Sequence, residues 1–185
     1  MTACWECGST GVTAKILPEF SIADLVGAPF PVILEDVVEE KACAKCGQVI
    51  GHVIPQPDQM AAIVAILRAC DPMKLNGKEI RFLRKTMSLK AKALAAKMAL
   101  TADHLSRYEN DKALISENYE RLLRALVCLA HVKSAQHIDL DLGEIVNMKI
   151  VPARDVDKNC GFRLVLTDTA PTPAPSNTIW KSHAA

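Results

Sequence analysis

The chain has 185 residues, half of them hydrophobic and 4% aromatic, with a formal net charge of +1. This length suits one medium domain or two small ones, and a core of Ala, Leu, Ile and Val favours helices. No apolar run approaches the ~20 residues of a membrane span, which excludes a membrane partner from the expectation. The near-zero total hides a split. Residues 1–70 carry four Lys and Arg against eight acids, residues 71–133 thirteen against seven, and the rest five against six. An acidic segment followed by a basic one predicts partners of opposite charge preference.

The chain opens on Cys4-Trp5-Glu6-Cys7-Gly8, and the pattern returns as Cys43-Ala44-Lys45-Cys46-Gly47. Two residues between thiols let both sulfurs of a tight turn face one ion, and the following glycine lets the backbone fold back. Two such knuckles predict a closed, structural Zn2+ site on Cys4, Cys7, Cys43 and Cys46. Seven cysteines, an odd number, with no secretory signal predict a reducing, cytoplasmic setting in which structural disulfides are rare. A redox Cys-x-x-Cys would stand singly at a helix head. Cys70, Cys128 and Cys160 read as buried small hydrophobes, and His52 as a surface histidine.

Between the knuckles, Val12–Leu17 and Pro31–Val38 predict two antiparallel strands clipped together by the metal, with Val49–Ile54 as a short third. Asp58 is expected to cap a helix over Gln59–Ala69 with Ile63, Val64, Ile66 and Leu67 apolar. Asp71–Asn76 reads as a domain boundary. Three short helices follow: about Lys78–Met87 (Ile80, Leu83 and Met87 inward), Lys90–Met98 (Ala93, Leu94 and Met98 inward) and Ala102–Asn110. Thr101 is the N-cap of the third, and Leu105 and Tyr108 form its inner face. Glu117–His131 predicts a longer helix with Leu122, Leu123, Leu126 and Leu129 inward and Arg121 and Arg124 outside. Val146–Val151 and Gly161–Thr167 read as a β-hairpin. Ala170–Ser176 reads as a polyproline-like linker leading into a disordered end, with Trp180 either a docking anchor or part of that end.

Two short helices, a tight connector and a third helix behind a capping threonine describe a helix-turn-helix. The third helix then presents Ala102, Asp103, His104, Ser106 and Arg107 outward. Arg107 can bond guanine O6 and N7 together, Asp103 can accept from a cytosine amino group, and His104 can donate to a base or a phosphate. Thr101 completes this DNA-facing set, and Lys90 and Lys97 are placed for phosphate contact. A helical bundle with a solvated basic face is the plainer alternative.

Leu75–Ile115 resembles the Xre/Cro-type helix-turn-helix through Ile80-Arg81-Phe82-Leu83-Arg84, Ala93-Leu94-Ala95 and Leu105-Ser106-Arg107-Tyr108-Glu109. Asp111 departs from that family's glycine after the recognition helix, and Lys90-Ala91 from its Ser-Gln opening of the second helix. With zinc knuckles in front, residues 1–130 resemble the YgiT/MqsA-type antitoxins. The resemblance implies an N-terminal zinc domain that binds a small ribonuclease toxin. It also implies a C-terminal domain that dimerises and represses its operon on double-stranded operator DNA. Arg107 matches a base-reading arginine of that family, and Asp103 stands where the family has asparagine.

The resulting expectation is a mainly α protein with a small β zinc-binding domain. It divides into a zinc unit (1–70), an Xre-type bundle (71–133), a hairpin extension (134–168) and a disordered tail (169–185). It is expected to be a homodimeric repressor and antitoxin, not an enzyme: no ligand set with an open position, nucleophile elbow or phosphate loop is present. The alternatives are a stand-alone or prophage-type regulator without a toxin, and a protein-interaction module that binds no DNA.

Overall fold

A computed structural model describes residues 3–134, 142–152, 161–168 and 178–184. Its described elements run β1 (Val12–Ser21), α1 (Ala23–Val26), β2 (Val32–Cys43), β3 (Val49–Val53), α2 (Pro57–Cys70), α3 (Gly77–Thr86), α4 (Ala91–Lys97), α5 (Ala102–Glu109), α6 (Glu117–His131), α7 (Leu142–Asn147), β4 (Phe162–Asp168) and β5 (Thr178–Ala184). The fold is mixed α/β.

The five strands form one sheet in the order β1-β2-β4-β5, with β3 also paired to β2. β1 and β2 are antiparallel from Val12↔Cys43 to Ser21↔Ile33. Their ladder slips beside Pro18, which has no N–H to donate. Leu17 pairs with Val38 and Glu19 with Glu35, so Pro18 faces both Asp36 and Val37. Asp36 takes a left-handed φ of 54° at this bulge.

β4 lies parallel to β2, with Val32↔Phe162 through Glu35↔Val165 in register, and β5 closes that edge antiparallel to β4. A parallel pair needs a long crossover, and here that connection contains every helix from α2 to α7. The helical unit is therefore inserted between strands of one sheet.

This topology corrects three expectations. Residues 146–151 do not form a hairpin with 161–167: Val146 belongs to α7, Val151 makes an isolated parallel bridge to Met73, and 162–168 pair with β2 and β5. A period-2 pattern names a strand but not its partner. Within the expected disordered tail, 178–184 form β5; the polyproline-like stretch 170–176 lies outside the described residues. The sheet is also not confined to the N-terminal third, because β4 and β5 complete it.

The boundary at 70/71 does not divide the core. One hydrophobic cluster runs from Ile22, Phe30, Val32 and Leu34 of the sheet region through Met60, Ile63 and Ile66 of α2 to Ile80, Leu83, Leu105 and Leu123. The Phe30 ring meets Phe82 of α3 and Phe162 of β4 edge-on, each at 5.5 Å. α2 is buried on nearly all sides because it lies within this core, consistent with its apolar composition. Its first turn begins at Pro57, with Gln56 rather than Asp58 in the cap position; proline at the first helical position needs no N–H.

Asp71–Asn76 is held by buried charges, not left as a linker. Arg68 donates to both Glu79 oxygens (2.8 and 3.0 Å) and to the carbonyls of Met73 and Lys74. Arg124 donates to Asp71 O, to Met73 O and to Glu120 Oε1 (2.8 Å). Glu120 in turn accepts from the Leu75 amide and pairs with Lys74 at 2.9 Å. Arg124 is fully buried, contrary to its expected outward position. α6 is consequently turned so that Leu123 and Val127 point inward, while Leu122 and Leu129 are 38% and 56% exposed. In α4, Ala95 is buried in place of the expected Ala93, beside Leu94 and Met98.

Candidate metal centre and nucleic-acid interface

The two knuckles are near copies. In the first, Gly8 N donates to Cys4 O and Cys4 N to Ser9 O, each at 2.8 Å; in the second, Gly47 N donates to Cys43 O (2.9 Å) and Cys43 N to Gln48 O (2.8 Å). Gly8 and Gly47 have φ of 70° and 74°, the left-handed region where a Cβ is strained. The β1–β2 register places Val12 opposite Cys43, and Ala44 N reaches Gly11 O at 3.0 Å, so strand pairing carries one knuckle to the other.

All four sulfurs fall within 4.8 Å of one another, with Cys7–Cys43 at 3.5 Å and Cys4–Cys46 at 3.7 Å. A tetrahedron with Zn–S bonds of ~2.3 Å has edges of about 3.8 Å, so the donor set fits a metal ion such as zinc. Backbone amides of Cys46 and Lys45 aimed at the Cys43 sulfur lower that thiol to about 6, while contact with the neighbouring sulfurs pushes Cys7 up to about 12 and raises Cys46, a crowding of thiolates that a bound cation would relieve. The four thiolates occupy every tetrahedral position, which suits a structural ion. His52 is engaged elsewhere, 3.4 Å from Glu40 and stacked on Phe20 at 4.6 Å. Of the other cysteines, Cys128 is buried, Cys70 is exposed at the end of α2, and Cys160 lies outside the described residues.

The basic face is built by α3, α4 and α5. Asn76 caps α3: its side chain accepts from Glu79 N, and the Glu79 carboxylate accepts from Asn76 N. Ser88, between α3 and α4, and Ala99, between α4 and α5, take positive φ of 56° and 53°, turning the chain sharply at both connectors. Thr101 caps α5 by accepting from His104 N at 3.2 Å. Leu105 is fully buried, and Glu109 at the other end accepts two bonds from Arg84 (2.5 and 3.0 Å) and pairs with Arg81 at 3.5 Å. The Arg-x-x-Arg of α3 and the closing Glu of α5 thus meet in space.

With its inner side fixed, α5 exposes Ala102, Asp103, His104, Ser106 and Arg107. Thr101 is exposed but committed to the cap, and Ser106 Oγ is 3.4 Å from the Asn110 amide. Lys90 stands at the N-cap of α4 and Lys97 in its last turn, both exposed. Among the described residues, Lys78, Lys85, Lys90, Lys92, Lys97, Arg107 and Lys112 have no carboxylate partner, whereas Glu79, Glu109 and Glu120 are consumed in buried pairs. The unpaired charge on this face is therefore carried mainly by lysines and Arg107, with Asp103 and Asp111 the acids outside those pairs.

The buried pairs were missed in the sequence. Two signals for them are local: Asn76-x-x-Glu79 is a capping box, and Glu120–Arg124 has i,i+4 spacing. Among the described residues no helix is long and apolar enough to cross a membrane. Comparison with protein-family models, curated proteins and solved structures finds no match to this chain.

Proposed function

We propose that this protein is a sequence-specific, double-stranded-DNA-binding transcriptional repressor. Its α4 and α5 act as a helix-turn-helix of the Xre/Cro type, and zinc closes the four-cysteine site. One observation carries the reading: Arg107 is exposed and has no acceptor among the described residues, on a helix whose other side is fixed by Leu105 and the Glu109–Arg84 pair. A base-reading arginine must be free at its tip and rigid at its root. Arg107 then takes guanine, Asp103 and His104 neighbouring groups, and Lys90 and Lys97 the phosphates.

The resemblance to YgiT/MqsA-type antitoxins supports a toxin-neutralising role and a homodimer. A stand-alone regulator is the second reading. It is favoured by the continuous core and the insertion of the helices within one sheet, which leave no separately folded zinc module to engage a toxin alone.

The test is binding to an operator library at fixed salt. Arg107→Ala should relax preference at one base pair per half-site, with roughly 1–3 kcal/mol of lost discrimination. Lys97→Ala should weaken all DNA alike and reduce the salt slope by about one. Unchanged affinity and base preference in Arg107→Ala would remove α5 from the DNA. Co-expression with the neighbouring gene product separates antitoxin from regulator.

A further inference from the structure

We propose that Cys70 and Cys128 form a peroxide-reactive thiol pair, whose oxidation to a disulfide reversibly ties the end of α2 to α6. The inference goes beyond the repressor reading and uses neither DNA nor the knuckle cysteines.

The crossing that buries Arg124 brings the two sulfurs together. α2 packs along α6, and Cys70 is the last residue of α2. Arg124 Nη1 donates to Arg68 O at 3.2 Å, to Ala69 O at 3.0 Å and to Asp71 O, so it grips the backbone on both sides of Cys70. Cys128 follows Arg124 by one helical turn on the same face of α6. Its S–H donates to the Cys70 sulfur, joining two helices far apart in the chain.

The pair is asymmetric in access. Cys70 is exposed, whereas Cys128 is fully buried. The bond from Cys128 and then the Arg124 charge hold the Cys70 thiol below its ordinary range, against partial desolvation and the Glu144 carboxylate of α7. The Cys70 sulfur and burial together push Cys128 well above that range. The sulfur that solvent reaches is therefore the thiolate, and the buried one keeps its proton.

That asymmetry sets the order of reaction. The Cys70 thiolate attacks one oxygen of hydrogen peroxide and the O–O bond breaks. Cys70 becomes a sulfenic acid, and the departing hydroxide regains, as water, the proton that Cys70 had released. Oxidation also removes the negative charge that held the Cys128 proton. The Cys128 sulfur then attacks the Cys70 sulfur, and its proton leaves with the hydroxyl group as a second water. Two thiols and one peroxide thus give one disulfide and two waters. The new bond closes a loop that contains α3, α4 and α5. A cross-link of that length stabilises the fold by restricting the unfolded chain.

The test treats the zinc-loaded full chain with a slight excess of hydrogen peroxide, followed by alkylation and trypsin. The wild type should yield residues 69–74 joined to residues 125–133, two hydrogens lighter than the separate peptides, and dithiothreitol should part them. Cys70→Ser, at an exposed position, should give no cross-link and leave Cys128 unmodified. Cys128→Ala should leave a Cys70 sulfenic acid that dimedone captures. Reduced wild type tests the same asymmetry without a variant: N-ethylmaleimide should label Cys70 on the order of 100-fold faster than Cys128. Oxidised wild type should melt about 5 °C or more above Cys70→Ser treated alike. A Cys70 oxidised further without any cross-link, a Cys70 joined to Cys160 or to a second chain, equal labelling of the two thiols, or an unchanged melting temperature overturns the proposal.

Discussion

Arg68 and Glu79 form a doubly hydrogen-bonded ion pair, at 2.8 and 3.0 Å, across the segment that composition marks as a domain boundary. Arg68 closes α2 and Glu79 opens α3, and both side chains are almost completely buried. Removing one member of such a pair strands the other charge in the core, at about 3–5 kcal/mol. Arg68→Ala should lower the stability of the whole chain by that amount, in a single transition followed by both far-ultraviolet ellipticity and the fluorescence of Trp5 and Trp180. Two separated transitions would show that the sheet and helices unfold independently.

Truncation tests the same continuity. A fragment beginning at Pro72 loses α2, Arg68 and three of the carbonyls that accept from Arg124, those of Arg68, Ala69 and Asp71. It should therefore fail to melt cooperatively, although it retains α3, α4 and α5. A fragment with a sharp melt near that of the full protein would restore the two-domain description.

Metal removal should act at the knuckle end of the sheet. Cys43 ends β2 opposite Val12, the first residue of β1, whereas Val32, Leu34 and Val38 remain anchored in the shared core. Cys43→Ser should abolish binding of one zinc per chain, measured by elemental analysis. It should raise hydrogen exchange most at residues 4–14 and 42–50, with α3–α6 little changed. Full zinc content in the variant would discard the four-cysteine site.

Asp111 sits at φ 55°, where glycine is the unstrained choice, and accepts a 2.6 Å hydrogen bond from Gly77 N. That bond seats the start of α3 on the end of α5. Asp111→Ala keeps the strained backbone and loses the acceptor, so it should destabilise by about 1–3 kcal/mol. Asp111→Gly relieves the strain and should cost less. Gly77→Ala should cost more than either, because a Cβ there would lie 2.6 Å from Tyr108 O. Urea melts of the three variants give the order directly.

His131 provides a pH signature. Burial lowers its pKa below the usual 6.5, and its Nε2 lies 3.2 Å from the Thr86 hydroxyl. The fold therefore holds the neutral ring. Its contribution is fully present above the unfolded value of about 6.5 and is lost as pH falls through the lower folded value. Stability measured from pH 7.5 to 5 should decline less in His131→Gln than in the wild type. Parallel curves would assign the decline to other groups.

Much of the site was legible locally. Cys-x-x-Cys-Gly repeated once defines its own turn geometry, and Thr101 before an amphipathic stretch defines the start of α5, because caps and knuckles depend on residues a few positions apart. What remained hidden depended on partners far along the chain. Phe162–Asp168 carries the alternation of a strand, but nothing in it names β2, more than a hundred residues earlier, as its parallel neighbour.

Sequence alone determined which short segments form helices and strands, that four thiols share a turn-based site, and that the middle of the chain is basic. Tertiary structure decided which side of α6 is inside. On α6 both sides are apolar, so periodicity could not choose between them. The choice fell to Glu120 and Arg124, whose buried bonds satisfy the backbone of residues 71–75. Exposed backbone groups in that crowded crossing would be costly to bury unpaired, so the helix turns its charged pair inward and leaves Leu122 and Leu129 facing out.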